Sequence, residues 1–207
     1  MCGILGQASV SHNLNNDWLI SGHDLIKHRG PDDDGTWRSN DKLVTFLHRR
    51  LSILDLSYEG HQPMSFTDRG VTIVFNGEIY NFKEIRSNLE DSNYNFKSNC
   101  DTEVLLKSYA EWGTECLHKL NGMFAFAIYD EPKKCLFIAR DRAGEKPIYF
   151  KEESGKFFFS SELKSLLENP SFKRKIDLEA LDCYLAMGYV PGSKCILKGF
   201  KKLPPAH

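Results

Sequence analysis

The chain of 207 residues lacks an excess of either charge, because 27 Lys and Arg stand against 28 Asp and Glu. A net charge of −1 gives no overall field that would attract nucleic acid or an anionic membrane. No apolar run approaches the roughly 20 residues of a membrane-spanning helix, and no basic segment followed by a long apolar one opens the chain. We therefore expect a cytoplasmic protein that binds neither nucleic acid nor membrane.

Cysteine and histidine are present, but the spacings that bind metals are missing. The six cysteines include no CxxC pair and the seven histidines include no HxH or HxxxH pair, so we expect no metal site. In a reducing compartment we expect no disulfide either. Apolar or helical neighbours predict that five of the cysteines are small core residues: Cys100, Cys116, Cys135, Cys183 and Cys195.

Internal repeats and low-complexity segments are also missing, and the order of elements is typical of an α+β domain. Helices are predicted over about 16–28, from a cap at Asn81, from Asp101 or Thr102 to Gly113, and over 161–168 and 178–187. Short strands are predicted over 35–38, 43–49 and 71–75. Four later runs, GMFAFAIYD, CLFIARD, PIYFK and KFFFS, are apolar enough to predict strands buried on both faces. We expect antiparallel strands with helices packed outside them.

The tail 189–207 is rich in proline and glycine, which predicts a connector with no helix or strand of its own. A domain boundary has this composition. The chain is therefore divided into a domain over 2–188 and a connector over 189–207.

Cys2 directly follows the initiator methionine in the segment MCGILGQ. One interpretation makes it part of a buried first strand, because cysteine is small and apolar enough. The other is that Met1 is removed, since the residue behind it is small, and that Cys2 then carries a thiol and a free α-amine. Such a residue is a nucleophile with its own base, because an α-amine titrates at about pH 8.

Three further motifs each allow an ordinary and a catalytic interpretation. Asn76-Gly77 in FNGEIYN is typical of a turn, and it is also a pair of donors for an oxyanion hole. Arg49 and Arg50 in HRRLSILD are either surface residues or a planar clamp for a carboxylate. Asp101 in CDTE is either a helix cap or a partner for an ammonium group. Clamps for both ends of an amino acid around a thiol suggest glutamine as the substrate.

Nine motifs occur in the order found in glutamine-hydrolysing asparagine synthetases: MCGILG, KHRGPDDDG, HRRLSILD, GHQPM, FNGEIYNF, CDTEVLL, LNGMFAFAIYD, ARDRAGEKPIYF and SSELKSLL. Most of residues 2–167 therefore resembles the N-terminal class II glutamine amidotransferase domain of that family. The resemblance implies the N-terminal nucleophile hydrolase fold, an α+β four-layer αββα sandwich of two antiparallel sheets between helices. It also implies that the tail leads towards a synthetase domain outside these residues.

The resemblance carries catalytic roles onto this chain. Cys2 would be the nucleophile, with its α-amine as base, and Asn76 and Gly77 would form the oxyanion hole. Two departures from the family pattern, Ala143 in DRAGEKP and Cys100 in CDTE, fall outside the residues with assigned roles. No cofactor is implied for this domain. ATP and Mg²⁺ would belong to the synthetase domain, whose SGGxDS signature does not occur here.

The resemblance also implies a binding site for L-glutamine. Arg50 would bind the α-carboxylate, helped by backbone around Leu51 and Ile53. Glu78 and Asp101 would receive the α-ammonium. His28 and Arg29, in a loop that lies near the site in this family, keep a structural interpretation.

The expected reaction is hydrolysis of glutamine to glutamate and ammonia through a thioester on Cys2. The ammonia would supply an ATP-dependent synthetase domain that converts aspartate to asparagine. One alternative keeps the glutaminase chemistry and amidates a different carboxylate, in a surface polysaccharide or a natural product. Another is a catalytically silent regulatory domain of the same fold. A homodimer is left open.

Overall fold

The computed structural model describes residues 1–11 and 14–207. Within these residues the strands are Gly3–Ser9 (β1), Asp33–Arg38 (β2), Val44–Arg50 (β3), Met64–Phe66 (β4), Val71–Ile79 (β5), Gly122–Asp130 (β6), Cys135–Arg140 (β7), Tyr149–Glu153 (β8), Lys156–Ser160 (β9) and Lys201–Lys202 (β10). The α-helices are Asp17–Asp24 (α1), Phe82–Asp91 (α2), Asp101–Trp112 (α3), Leu163–Leu166 (α4) and Leu178–Met187 (α5). In the part of the chain described, no helix combines the length and apolarity needed to cross a membrane.

The strands form two antiparallel sheets. One has six strands in the order β10-β8-β9-β1-β3-β2, and the other has four in the order β4-β5-β6-β7. β1 begins directly after Cys2 and lies between β9 and β3, with Gly3 opposite Arg49. The residues that begin the chain are therefore held in the interior of a sheet.

The two sheets face each other because β6 has two different apolar faces. Phe124, Phe126 and Ile128 pack with side chains of α2 and α3. Between them, Ala125 and Ala127 join the cluster that lies between the sheets. The period-2 alternation of a strand separates the two sets, and the small alanines let the sheets approach closely.

The outer face of the six-stranded sheet is covered by the other helices. Trp18 and Leu19 of α1 and Leu166 of α4 pack with Leu5 and other residues of that sheet. The order of layers is therefore α1 and α4, six-stranded sheet, four-stranded sheet, α2 and α3. The predicted α+β class and the αββα sandwich are confirmed.

Two details of the predicted secondary structure are wrong. Asn76-Gly77 does not turn the chain: β5 continues through it to Ile79, because β6 pairs with the whole segment and holds it extended. Asn81 precedes α2 but does not cap it with its side chain. Its amide instead donates to the Lys119 carbonyl at 2.9 Å and accepts from the Asn121 backbone N–H at 2.9 Å.

The predictions for the edge strand and the tail also need correction. Burial on both faces holds for β6 but not for β7, which lies at a sheet edge and exposes Cys135, nor for β8, which has no fully buried residue. Cys183 is only partly buried. The tail does form a strand, since β10 pairs with β8, and it buries Phe200. The division into a domain and a connector stays a prediction.

Candidate active site

A cavity of about 160 Å³ lies where β1, β3, β5 and α3 meet. Ligand pockets for drug-sized molecules are about 300–1,000 Å³, so this one suits a smaller molecule. All eight residues to which the resemblance assigns a role line it: Cys2, Arg50, Leu51, Ile53, Asn76, Gly77, Glu78 and Asp101.

Cys2 is fixed through both its side chain and its backbone. Its Sγ accepts from the Leu51 N–H at 3.4 Å, and the Arg29 Nε donates to its carbonyl at 2.9 Å. Arg29 is itself held by Glu162, at 3.0 Å between Nη1 and Oε1. Arg29 therefore has a structural role, because it holds the Cys2 carbonyl in position.

The Cys2 thiol is uncharged at neutral pH. Burial raises its pKa, and the hydrogen bond from Leu51 and nearby positive charges only partly oppose that effect. A buried neutral thiol needs a base to become a nucleophile. No histidine is found among the described residues that line the cavity, and its carboxyl groups belong to Asp55, Glu78 and Asp101.

Asn76 presents a donor without a partner. Its side chain is 1% exposed, and its Nδ2 makes no hydrogen bond within the described part of the chain. Buried polar groups are rarely left unpaired, so an orphaned donor in a cavity indicates a ligand atom that completes it. Gly77 beside it has no room for a side chain, because a Cβ would overlap the Met123 carbonyl and lie 2.7 Å from the Phe124 Cα.

Arg50 and Arg49 have different environments. The sequence left open whether they are surface residues or a clamp for a carboxylate, and the structure distinguishes the two arginines. Arg49 is neutralised by Asp24 at 2.6 Å and Asp34 at 3.4 Å and lies outside the cavity lining. The buried guanidinium of Arg50 instead donates to the carbonyls of Ser57, at 2.9 Å, and Asp55. It has no carboxylate partner among the described residues, so a substrate carboxylate would be its first.

Asp101 supplies negative charge to the same cavity. It begins α3, its side chain is buried, and its Oδ2 accepts from the Ile79 N–H at 2.9 Å. Burial raises its pKa to about 6, and the nearby Glu78 carboxylate acts in the same direction. A cation placed between these two carboxyl groups would be held and would favour their ionised forms.

Gln62 is a cavity residue to which the sequence assigned no role, although its motif GHQPM was recognised. Its Oε1 accepts from the Phe75 N–H at 2.7 Å, and its Nε2 donates to the Thr102 Oγ1 at 3.2 Å. β4 ends its pairing at Ile73, so the Gln62 amide replaces the missing strand for Phe75. One side chain thus joins the residue before Asn76 to the residue after Asp101.

The sequence also assigned no role to His48, because it lies in a strand and belongs to no recognisable histidine motif. It is fully buried, and its Nε2 lies 3.0 Å from the Phe75 carbonyl of the facing sheet. Burial lowers its pKa to about 3, so the ring is neutral and Nε2 donates the hydrogen bond. Its contribution is to hold the strand that carries Asn76.

Two facing antiparallel sheets between helical layers, with a cysteine at the entry to a central strand, define the N-terminal nucleophile hydrolase fold. The glutamine amidotransferase domain family matches residues 1–207, and the chain belongs to that family. It is an enzyme domain of this kind.

Curated relatives are longer than this chain. It is 40% identical to asparagine synthetase [glutamine-hydrolyzing] 3 of Bacillus subtilis, with 100% of this chain and 34% of the relative covered. A putative asparagine synthetase [glutamine-hydrolyzing] 2 of Methanocaldococcus jannaschii is 39% identical, with 98% and 42% covered. An amidase chry2 of Gibberella zeae is 40% identical, with 81% and 26% covered. The chain thus spans between about a quarter and two fifths of these relatives.

Solved structures share the fold. Glutamine phosphoribosylpyrophosphate amidotransferase from B. subtilis superposes with a TM-score of 0.65 at 19% identity, covering 85% of this chain and 45% of that one. An allosteric regulatory enzyme of purine biosynthesis gives a TM-score of 0.67 at 18% identity, covering 81% and 43%. At these identities the likeness concerns the fold alone.

Proposed function

We propose that this chain hydrolyses L-glutamine to glutamate and ammonia through a thioester on Cys2. The observation that carries the proposal is the orphaned Nδ2 of Asn76 in the same cavity as the Cys2 thiol. The unneutralised Arg50 and the buried Asp101 supply opposite charges for the two ends of a free amino acid. Together these groups match an α-carboxylate, an α-ammonium and a side-chain carbonyl.

The reaction proceeds in two halves on the proposed site. The α-amine of Cys2 takes the thiol proton, and the sulfur forms a bond to the amide carbon of glutamine. The resulting oxyanion is stabilised by Asn76 Nδ2 and the Gly77 N–H. The proton on the amine passes to the amide nitrogen, the C–N bond breaks, and ammonia leaves. Water then attacks the thioester with the amine as base, which releases glutamate and restores the thiol.

The base in this scheme requires that Met1 be removed. With Met1 in place the nitrogen of Cys2 is an amide, which does not accept a proton at neutral pH. Met1 also lines the cavity beside Cys2 and is half exposed. Its removal would therefore free the base and enlarge the space for substrate in one step.

The acceptor of the ammonia is proposed from the relatives. Those named asparagine synthetase favour a synthetase domain that uses ATP and Mg²⁺ to convert aspartate to asparagine, outside these residues and in the cytoplasm. The relative named amidase chry2 supports the second candidate, in which the ammonia amidates a different carboxylate.

The test measures intact mass and glutamate release on the same purified sample. We expect a mass lacking one methionine, release of glutamate, and loss of that release in Cys2→Ala. The matched control is Cys135→Ala, which removes an exposed thiol on an edge strand and should keep full activity. Normal turnover by Cys2→Ala would rule out the thioester.

A further inference from the structure

Lys146 is a buried cation that contacts the side chain of Met1. It lies in the turn after β7, is only 6% exposed, and lines the same cavity as Cys2. Its Nζ contacts the Met1 Sδ at 3.3 Å. Met1 is bonded to Cys2, and all three residues line one cavity, so the Lys146 ammonium and the Cys2 nitrogen belong to the same site.

The position of Lys146 is fixed by its backbone rather than by its side chain. Its N–H donates to the Asp141 Oδ2 at 3.0 Å, and its carbonyl accepts from the Arg140 Nε at 2.7 Å. The same Asp141 carboxylate accepts from the Glu145 N–H at 2.9 Å and the Phe124 N–H at 3.2 Å. The turn is thus tied to β6 and β7, which fixes the point from which the Lys146 side chain enters the cavity.

The Lys146 ammonium has no carboxylate partner within the described residues. A thioether is a weak acceptor, so the Met1 contact does not satisfy a buried cation. The adjacent Glu145 is exposed and forms no ion pair with it, and Asp141, which binds the Lys146 N–H, has its carboxylate occupied by backbone donors. Burying a cation without a carboxylate partner is unfavourable for folding, so its presence in this cavity indicates an electrostatic role there.

We propose that Lys146 is a positioning residue that keeps the Cys2 α-amine unprotonated at neutral pH. This inference rests on the proposed function, in which Met1 removal frees that amine. A nearby positive charge disfavours the ammonium form of the amine and so makes it available as a base. The same charge favours the thiolate over the thiol, so both changes promote attack.

Other charged groups around the amine act in both directions. Asp101 of α3 and Glu78 of β5 favour its protonated form, whereas Arg50 of β3 opposes it. Arg29 is largely neutralised by Glu162. Because Arg50 would be neutralised by the substrate carboxylate, Lys146 is the lining cation left to offset the carboxylates needed to bind the substrate ammonium.

The test compares pH profiles of kcat/KM for glutamine in three variants of the processed protein. Lys146→Met keeps the length of the side chain and removes its charge, and Lys146→Arg keeps the charge. In Lys146→Met we expect the acidic limb to move up by about one pH unit, which is a roughly tenfold loss below the limb, with an unchanged alkaline plateau. Lys146→Arg should retain the wild-type limb. Lys83→Met, an exposed lysine on α2, removes the same net charge and should leave the profile unchanged.

A second readout does not depend on turnover. The rate at which iodoacetamide alkylates Cys2 should show the same shift with pH in Lys146→Met. An unshifted limb in an active Lys146→Met, or a change in KM alone, would overturn the role of Lys146 and leave the glutaminase standing. A wild-type protein that retains Met1 or releases no glutamate would instead overturn the proposed function.

Discussion

At the scale of the residue, Asp101 shows a conflict between stability and binding. Its buried carboxyl group has a pKa of about 6, above its ordinary value of 3.8. The folded state therefore holds a proton that the unfolded state releases between about pH 4 and pH 6. The stability contributed by Asp101 falls as pH rises through that window. Above about pH 6 the carboxyl group is ionised and can bind the substrate ammonium.

We expect Asp101→Asn to raise the KM for glutamine by about tenfold or more, because a charged partner of the ammonium is lost. In the wild type, KM should rise as pH falls below about 6, since the protonated acid no longer attracts the ammonium. The variant should lack this pH dependence. Steady-state kinetics from pH 5 to pH 8 measure both effects.

Thermal unfolding at pH 8 provides the second half of this test. Asp101→Asn should melt at a higher temperature than the wild type, because it avoids the burial of a carboxylate. Asp182→Asn, an exposed acid on α5, changes the charge equally and should alter neither KM nor its pH dependence. A wild-type KM in Asp101→Asn would place the ammonium elsewhere.

At the scale of the element, the turn Tyr58–Gly60 shapes the carboxylate clamp. A Cβ on Gly60 would overlap the Arg50 Nη2 and lie 2.7 Å from its Cζ. The guanidinium lies in this position because the turn passes over it without a side chain.

We expect Gly60→Ala to displace the Arg50 guanidinium and to raise KM for glutamine about tenfold, in the direction of Arg50→Ala, with a smaller effect on kcat. Gly113→Ala is the control. Gly113 has a φ of +60° and open space around its Cα, so the substitution strains the backbone far from the cavity. It should lower stability by about 1–3 kcal/mol and leave KM unchanged. Equal kinetics in the two variants would argue against the clamp.

Elements with strong local patterns were predictable, and contacts between distant segments were not. The apolar run of β6 and the helical spacing of α2 are local signals that predicted a strand and a helix, whereas the four layers were implied by the resemblance. The turn propensity of Asn76-Gly77 was overridden by nine residues of pairing with β6, which no local pattern reports. Gln62 and Lys146 act through contacts with Thr102 and Met1, at 40 and 145 residues of separation. The motifs that contain these two residues were recognised in the sequence, but the residues that they contact could not be predicted from it.

At the scale of the whole molecule, His48 joins the two sheets and makes their association sensitive to acid. Its folded pKa of about 3 lies below the ordinary value of 6.5. Between about pH 6.5 and pH 3 the imidazole is protonated in the unfolded chain but neutral in the folded chain. The stability present above pH 6.5 is therefore lost as pH falls towards 3. His23 has its pKa lowered by burial and adds to the same trend.

We expect His48→Gln to weaken this pH dependence, because the glutamine amide can donate to the Phe75 carbonyl and does not titrate. Urea unfolding at pH 7 and pH 4.5 measures the difference in free energy for each protein. That difference should be smaller in His48→Gln than in the wild type. His118→Gln, which removes an exposed histidine, should keep the wild-type difference. If both variants kept it, the acid sensitivity would arise elsewhere.

The central position of β1 has a practical consequence for anyone who produces this protein. Met1 lines the cavity and is half exposed, and β9 and β3 flank the strand that follows, so a peptide fused ahead of Met1 would begin beside the cavity that we assign to glutamine. An affinity tag at that end would mask the amine and occlude the site, giving a folded but inert preparation. A protease that cuts directly before Cys2 would convert that preparation into active enzyme, so the fusion would behave as an engineered zymogen.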